Sequence, residues 1–260
     1  MTATAISSLP PSPTHAVGLT PGLRLAGISK SFGRQKVLAD LDLSAYPGRV
    51  YGLLGLNGAG KTTALRIALG MLRPDSGTVE VLGRKTPSAS HDIWRSVGHL
   101  VETPFSYPEL TARQNIIASA ILHGHDPATL ASGIAELAGR LGLTYWLDVP
   151  ARRLSLGTRQ KVGLVAAMAH RPRLLILDEP TNALDPLAIA GLRGLITDLT
   201  HDGTAVLVTS HHFDELARIA HRVDVLHAGH VVDSLRPDGP DLEARFFETV
   251  LAAENEKQTR

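Results

Sequence analysis

The sequence predicts an α/β fold: a mainly parallel sheet with helices on its faces, a small antiparallel sheet near the N-terminus, and an inserted helical lobe. Three features carry this reading. A glycine-rich loop, "GLNGAGKT" (55–62), sits between an apolar run, "VYGLL", and a segment of helical periodicity. The apolar runs "LLILDEP" (174–180) and "AVLVTS" (205–210) alternate with helical segments, as parallel strands joined by helical crossovers do. Between about 90 and 170, only "VGHLV" (97–101) reads as a strand.

The elements follow in order. Residues 1–22 are rich in Ser, Thr, Pro and Ala and nearly uncharged, which reads as a disordered leader. "LRLAGISKSF" (23–32) and "VLADLDLSAY" (37–46) alternate apolar and polar residues as half-buried strands do, and "VYGLL" (50–54) is a fully buried strand. A helix is expected over 62–72, stopped by "RPDSG", and a strand over 78–83. Helices are expected near 111–123 and 128–142 and after "LSLG" (154–157), then strands 174–180 and 205–210 with helices 186–200 and 212–220. "VDVLHAGHVVDS" (223–234) reads as a hairpin around Ala-Gly, and 241–252 as a short last helix within a mixed-charge tail, 236–260. The main domain then spans 23–235, with the helical lobe at about 90–170.

Composition narrows the function. A hydrophobic fraction of 43% with 20% charged residues suits a globular chain with a sizeable core. A net charge of +1 gives no electrostatic case for nucleic acid as a partner. Cysteine is absent, which excludes a disulfide framework and thiolate metal sites and fits a reducing compartment. The longest apolar stretches, such as "GLVAAMA" (163–169), fall far short of the roughly 18–20 residues of a membrane span. The N-terminus lacks a basic region followed by an apolar core, so a cytoplasmic chain is expected.

The loop 55–62 matches G-x-x-x-x-G-K-[ST] in a strand–loop–helix setting. Gly55, Asn57, Gly58, Ala59 and Gly60 let consecutive N–H groups face one centre, and the helix that begins near Thr62 and Thr63 adds its dipole. Lys61 brings a positive charge to the β- and γ-phosphates, and the Thr62 hydroxyl is a Mg²⁺ ligand. "LLILDEP" delivers Asp178 and Glu179 at the end of a strand, where open α/β sheets place ligands. Asp178 would orient Mg²⁺, and Glu179 would polarise a water for attack on the γ-phosphate. His211, the first residue after "TS", ends the next strand and can hydrogen-bond the same phosphate or the attacking water; His212 would point elsewhere. "LSLGTRQK" (154–161) opens a helix with a turn that frees backbone N–H groups, a second anion site far from the first.

The order of "GLNGAGKT", "LSLGTRQK", "LILDEPTNALDP" and "TSHH" resembles the nucleotide-binding subunit of ATP-binding cassette (ABC) transporters over about 23–235. The resemblance implies an ATPase cassette on a phosphate-loop NTPase core that binds ATP with Mg²⁺. It also implies a peripheral position on the inner face of the cell membrane, and a separate integral-membrane permease as partner. It makes 154–158 the signature loop, which serves the ATP of a second subunit in a homodimer or heterodimer. Ser155 would donate to that γ-phosphate and the Gly157 backbone would face it, while Leu156 and Thr158 depart from the usual Leu-Ser-Gly-Gly-Gln. Asp185 in "NALDP" corresponds to the D-loop residue that contacts the other subunit, and Phe32 to the aromatic residue stacked on adenine, a position where a core Phe is the alternative. Glu102 stands where the family carries a Gln that senses the γ-phosphate and Mg²⁺; it is either a carboxylate ligand there or a surface acid. Glu102, the following "YPELT" and the "SLG" of the signature together resemble the bacitracin-resistance and lantibiotic-immunity branch of exporters. The competing reading is a soluble cassette ATPase acting in iron–sulfur cofactor assembly or on another macromolecule, which a neighbouring permease reading frame would argue against.

Overall fold

The computed structural model describes residues 20–86, 91–102, 106–211, 213–237 and 241–258. The body of the proposed leader, 1–19, lies outside them, while Gly22 is already tied into the sheet by its N–H to the Ala45 carbonyl at 2.8 Å. β1 (Leu23–Phe32) and β2 (Gln35–Ala45) pair antiparallel, burying Leu23, Leu25, Leu41 and Leu43. β3 (Val50–Leu54) is buried at every residue and leads through the glycine-rich loop into α1 (Lys61–Ala68).

The expected helix 62–72 thus stops four residues early. Gly70 takes a left-handed φ of 69°, and the N–H groups of Gly70 and Met71 fold back onto the carbonyls of Ile67 and Arg66 at 3.0 and 2.9 Å. Glycine reaches that conformation without a Cβ clash, so the cap overrides the apolar periodicity beyond it. β4 (Ser76–Val81) then turns through Leu82 and Gly83, at φ of 48° and 79°, into β5 (Arg84–Thr86), a strand the sequence pattern does not announce. A two-residue turn with both φ positive suits the right-handed twist of a hairpin.

β6 (Val97–Leu100) precedes the helical lobe. α2 (Ala112–Leu122) starts from a reciprocal cap in which Thr111 and Gln114 bond each other's backbone N–H, and α3 (Pro127–Arg140) from an Asp126 cap with proline in the first turn. α4 (Leu156–Met168), β7 (Leu174–Asp178), α5 (Pro186–His201) and β8 (Ala205–Ser210) follow. The short α6 (Phe213–Ala217), the hairpin β9 (Arg222–His227) and β10 (His230–Leu235), and α7 (Leu242–Gln258) complete the chain.

β2, β1, β4 and β5 form a four-stranded antiparallel sheet, and the larger sheet has the order β10-β9-β3-β8-β7-β6, parallel except for β10. One face of the large sheet packs on the antiparallel sheet and α1; the other carries the lobe with α5, α6 and α7. Its central strands are buried on both faces and so read as unbroken apolar runs. α7 runs longer than the expected 241–252 because it is no solvated tail: Leu242, Phe246 and Val250, spaced four apart, enter the core, with Phe246 only 1% exposed.

Four histidines gather where β6, the end of α2 and the end of α4 meet. Ring centroids lie 6.0 Å apart for His99 and His123, 5.3 Å for His123 and His170, and 5.0 Å for His125 and His170. Burial, reinforced by His123, pushes His99 down to about 4; burial, reinforced by His123 and His125, does the same to His170. Between about 4 and 6.5 the unfolded chain therefore binds more protons at these two sites than the folded one. The stability they permit is complete above pH 6.5 and is lost as pH falls toward 4, by up to about 3 kcal/mol per histidine. Urea midpoints measured from pH 7.5 down to 4.5 should fall, and the fall should be shallower in a variant carrying His99→Asn with His170→Asn.

Candidate functional site

The parallel register of β3, β8 and β7 aligns their C-terminal ends: Leu54 pairs with Ser210, and Thr209 with Asp178. The glycine-rich loop leaves β3 at this edge. α1 begins there on Gly60 at a φ of 109°, with no side chain capping it and no acidic residue in its first turn. Its leading N–H groups, including those of Thr62 and Thr63, are thus available to an anion and add the dipole's positive potential. Asn57 and Gly58 form the exposed rim of the loop, while Ala59 and Gly60 are buried beneath it.

Lys61, 7% exposed, donates from Nζ to the Gly55 carbonyl at 2.7 Å and stands 3.4 Å from Glu179 Oε1. Thr62 Oγ1 donates to Asp178 Oδ2 at 2.7 Å. Thr209 Oγ1 donates to Asp178 Oδ1 at 2.5 Å and accepts the Glu179 N–H at 2.9 Å. β7 was expected to run to residue 180; it ends at Asp178 because Glu179 turns to a φ of 46°. That turn sends the carboxylate across to the end of β8, where Oε2 accepts the His211 N–H at 3.1 Å and meets His211 Nδ1 at 2.7 Å. The residues at the two strand ends therefore form one connected set with Lys61 and Thr62. His212 lies outside the described residues.

The Thr62 hydroxyl and Asp178 carboxylate are hard oxygen donors, the type that a small divalent cation takes while keeping several waters and phosphate oxygens. Among the described residues, no cluster of three or more His, Asp or Glu forms an all-protein metal cage. Glu102, at a φ of 64°, is half-exposed and pairs with Arg66 of α1, one helical turn beyond Thr62. Phe32 is 50% exposed at the tip of the β1–β2 hairpin, with Lys30 Nζ 5.7 Å from its ring centroid. Val37 and Leu38 of β2 border Gly60, which places that hairpin beside the loop.

Ser155 caps α4: its Oγ accepts the Thr158 N–H at 3.1 Å and lies 2.8 Å from Thr158 Oγ1. Leu156 is 54% exposed. At Gly157 a Cβ would fall 2.2 Å from the Ala183 carbonyl oxygen, so only glycine allows α4 to sit this close to the segment after β7. Gln160 Nε2 donates to the Pro180 carbonyl at 3.3 Å and Lys161 Nζ to Asp185 Oδ2 at 2.6 Å. Asp185 also caps α5 by accepting the Ala188 N–H at 2.9 Å. The Lys161 hydrogen bond, then that cap, hold its carboxyl below the usual carboxylate range. Ser155 and Thr158 thus bond each other at the start of α4 and not the glycine-rich loop. Thr181, Thr209, Glu215 and Lys161 belong to this network and were not singled out from the sequence; a hydroxyl closing an apolar run, as in "AVLVTS", is the signal that could have found Thr209.

Residues 38–182 match the family described as "ABC transporter". The chain is 37% identical over 209 residues to the bacitracin transport ATP-binding protein BcrA of Enterococcus faecalis, covering 80% of this chain and 67% of that protein. It is 31% identical to the lantibiotic transport ATP-binding protein SrtF of Streptococcus pyogenes, covering 88% and 97%. A solved structure, that of an ATP-binding subunit of an ABC transporter, superposes with a TM-score of 0.79 at 28% identity, over 93% of this chain and 100% of that one.

Replacing the buried cation tests the loop directly. Lys61→Met should weaken binding of a fluorescent ATP analogue at least about tenfold, the loss of one charge-assisted contact. The variant should still fold, with an unchanged far-UV circular dichroism spectrum without nucleotide.

Proposed function

The chain belongs to the ABC transporter family, and from that membership we propose that it is the ATP-hydrolysing subunit that powers a separate membrane permease exporting a peptide or other antimicrobial compound. The observation that carries the reading is the single connected set of Lys61, Thr62, Asp178, Glu179 and His211 at the strand ends. The similarity to bacitracin and lantibiotic transport proteins supports the class of cargo.

In this reading Lys61 and the first turn of α1 hold the β- and γ-phosphates, and Phe32 stacks on adenine. Thr62 and Asp178 hold Mg²⁺, which supplies neutralisation of phosphate charge when bound. Glu179, already aimed by Lys61 on one oxygen and His211 on the other, orients the attacking water. Glu102 joins the phosphate side only by releasing Arg66. Ser155 and Gly157 act on the nucleotide of a second subunit, because their own loop is anchored to the segment after β7 and not to residues 55–63. ATP then favours the closed dimer because its γ-phosphate touches both subunits, whereas ADP has no such contact to offer.

No helix among the described residues is long and apolar enough to cross a membrane. The permease anchors the subunit at the inner face of the membrane, by a cytoplasmic helix seated along 102–110, of which 103–105 lie outside the described residues. Asn115, 7% exposed, braces that segment by accepting the Tyr107 N–H at 2.7 Å and donating to the Leu110 carbonyl at 3.1 Å.

Glu179→Gln should bind ATP, hydrolyse it at least about a hundredfold more slowly, and accumulate as a dimer by light scattering with saturating ATP. A variant that stays monomeric would overturn the composite site. Ser155→Arg should keep nucleotide binding while abolishing turnover, and unchanged turnover would remove the role of this loop in trans.

A further inference from the structure

α6 (Phe213–Ala217) has only five residues, too few to hold itself as a helix. It nevertheless begins two residues after His211, so its place constrains where that imidazole can stand. Leu216 roots it in the core, and two further contacts flank it. On the catalytic side, Thr181 Oγ1 donates to Glu215 Oε2 at 2.5 Å. On the far side, the Phe213 ring meets Phe246 of α7 edge-on at 5.1 Å.

The polar contact closes a ring. Glu179 and Thr181 are two residues apart on the segment leaving β7, and His211 and Glu215 four apart on the segment leaving β8. Glu179 is bonded to His211, and Thr181 to Glu215. The two segments are thus tied together twice, so sliding one past the other would have to break both ties. Thr181 and Glu215 meet, half-buried, on the wall of a small cavity also lined by Leu192, Arg193, Val208, Thr209 and Leu216, and their hydrogen bond is charge-assisted.

We propose that Glu215 is a positioning residue for hydrolysis: its bond to Thr181 fixes α6, and through it His211, against Glu179. The proposal rests on the assignment of Glu179 and His211 to the hydrolytic step. It gives a role to a carboxylate whose hydrogen-bond partner is a hydroxyl on the segment leaving β7. Phe213 and Phe246 hold α6 from behind; the Thr181–Glu215 bond sets its distance from β7.

The test is steady-state ATPase kinetics on the full chain with Thr181→Val, Glu215→Ala and the pair combined, beside Thr181→Ser and Glu215→Gln, which keep the donor and an acceptor. Each disrupting change should lower kcat about tenfold with KM for ATP within about twofold, the signature of lost positioning without lost binding. The combined variant should be no worse than either single one, and the two conservative variants should recover most of the rate. Thr181→Val and Glu215→Ala at wild-type kcat, additive losses, or no recovery by Thr181→Ser would overturn the proposal. Glu179→Gln run alongside separates the two claims. If it retains full turnover, the underlying assignment fails; if it is inactive while Thr181→Val and Glu215→Ala are unaffected, only the role of Glu215 fails.

Discussion

The site hangs on one hydroxyl. Thr209, fully buried near the end of β8, gives its proton to Asp178 and takes the N–H of Glu179. The first bond turns the Asp178 carboxylate so that its other oxygen faces Thr62. The second gives the Glu179 N–H a partner at the point where the chain leaves the strand for a left-handed φ, a conformation costly for a residue with a Cβ. Both bonds require Thr209 to stand beside Asp178, and the parallel register of β7 and β8 supplies this. A slip of one residue would turn the hydroxyl to the opposite face of the sheet and leave two buried polar groups unpaired.

What the sequence makes legible follows the same division. Buried parallel strands show as apolar runs, and β3 and β8 fall where those runs predict. The loop 55–62 is legible because phosphate binding demands glycines and a lysine at fixed spacing. Boundaries set by single backbone angles are less so: Gly70 ends α1 against the apolar pattern, and Glu179 ends β7 inside an otherwise continuous run. β5 escapes because three residues, two of them exposed, carry no periodicity; only the Leu82–Gly83 turn creates it. α7 reads as short in the sequence because its buried residues come one per turn among charges, and their partners lie far away along the chain. Thr181 and Glu215 are likewise ordinary polar residues until folding sets them face to face.

Burial also explains the four histidines. Imidazole is costly to charge in a packed interior, and each further ring nearby raises that cost. His99 and His170 are thereby kept neutral well below the ordinary histidine range, and His170 Nε2 lies buried without a hydrogen-bond partner. His211 is of the opposite kind: it is half-exposed and hydrogen-bonded to a carboxylate. Twelve histidines in the sequence are thus no guide by number. The histidine proposed for the site is the one whose strand ends beside Asp178 and Glu179.

The start of α4 shows how two distant motifs behave as one body. Gly157 lies against the Ala183 carbonyl, Gln160 holds Pro180, and Lys161 holds Asp185. Every partner lies within the seven residues that follow Asp178, so any displacement of Ser155 is carried to the strand end that bears Glu179. Asp185 spends both carboxylate oxygens inside its own chain, one on Lys161 and one on the start of α5. Contact with a second subunit would therefore have to add to these bonds or break one of them. The Thr158 hydroxyl sits 2.8 Å from Ser155 Oγ, a direct side-chain link at the signature turn. A ligand drawing on the Ser155 hydroxyl would thus disturb a cap that already holds α4, and α4 in turn holds the loop behind the carboxylate. The Ser155 turn and the strand end that bears Glu179 are joined by direct contacts, so a ligand drawing on the first would act on the geometry of the second.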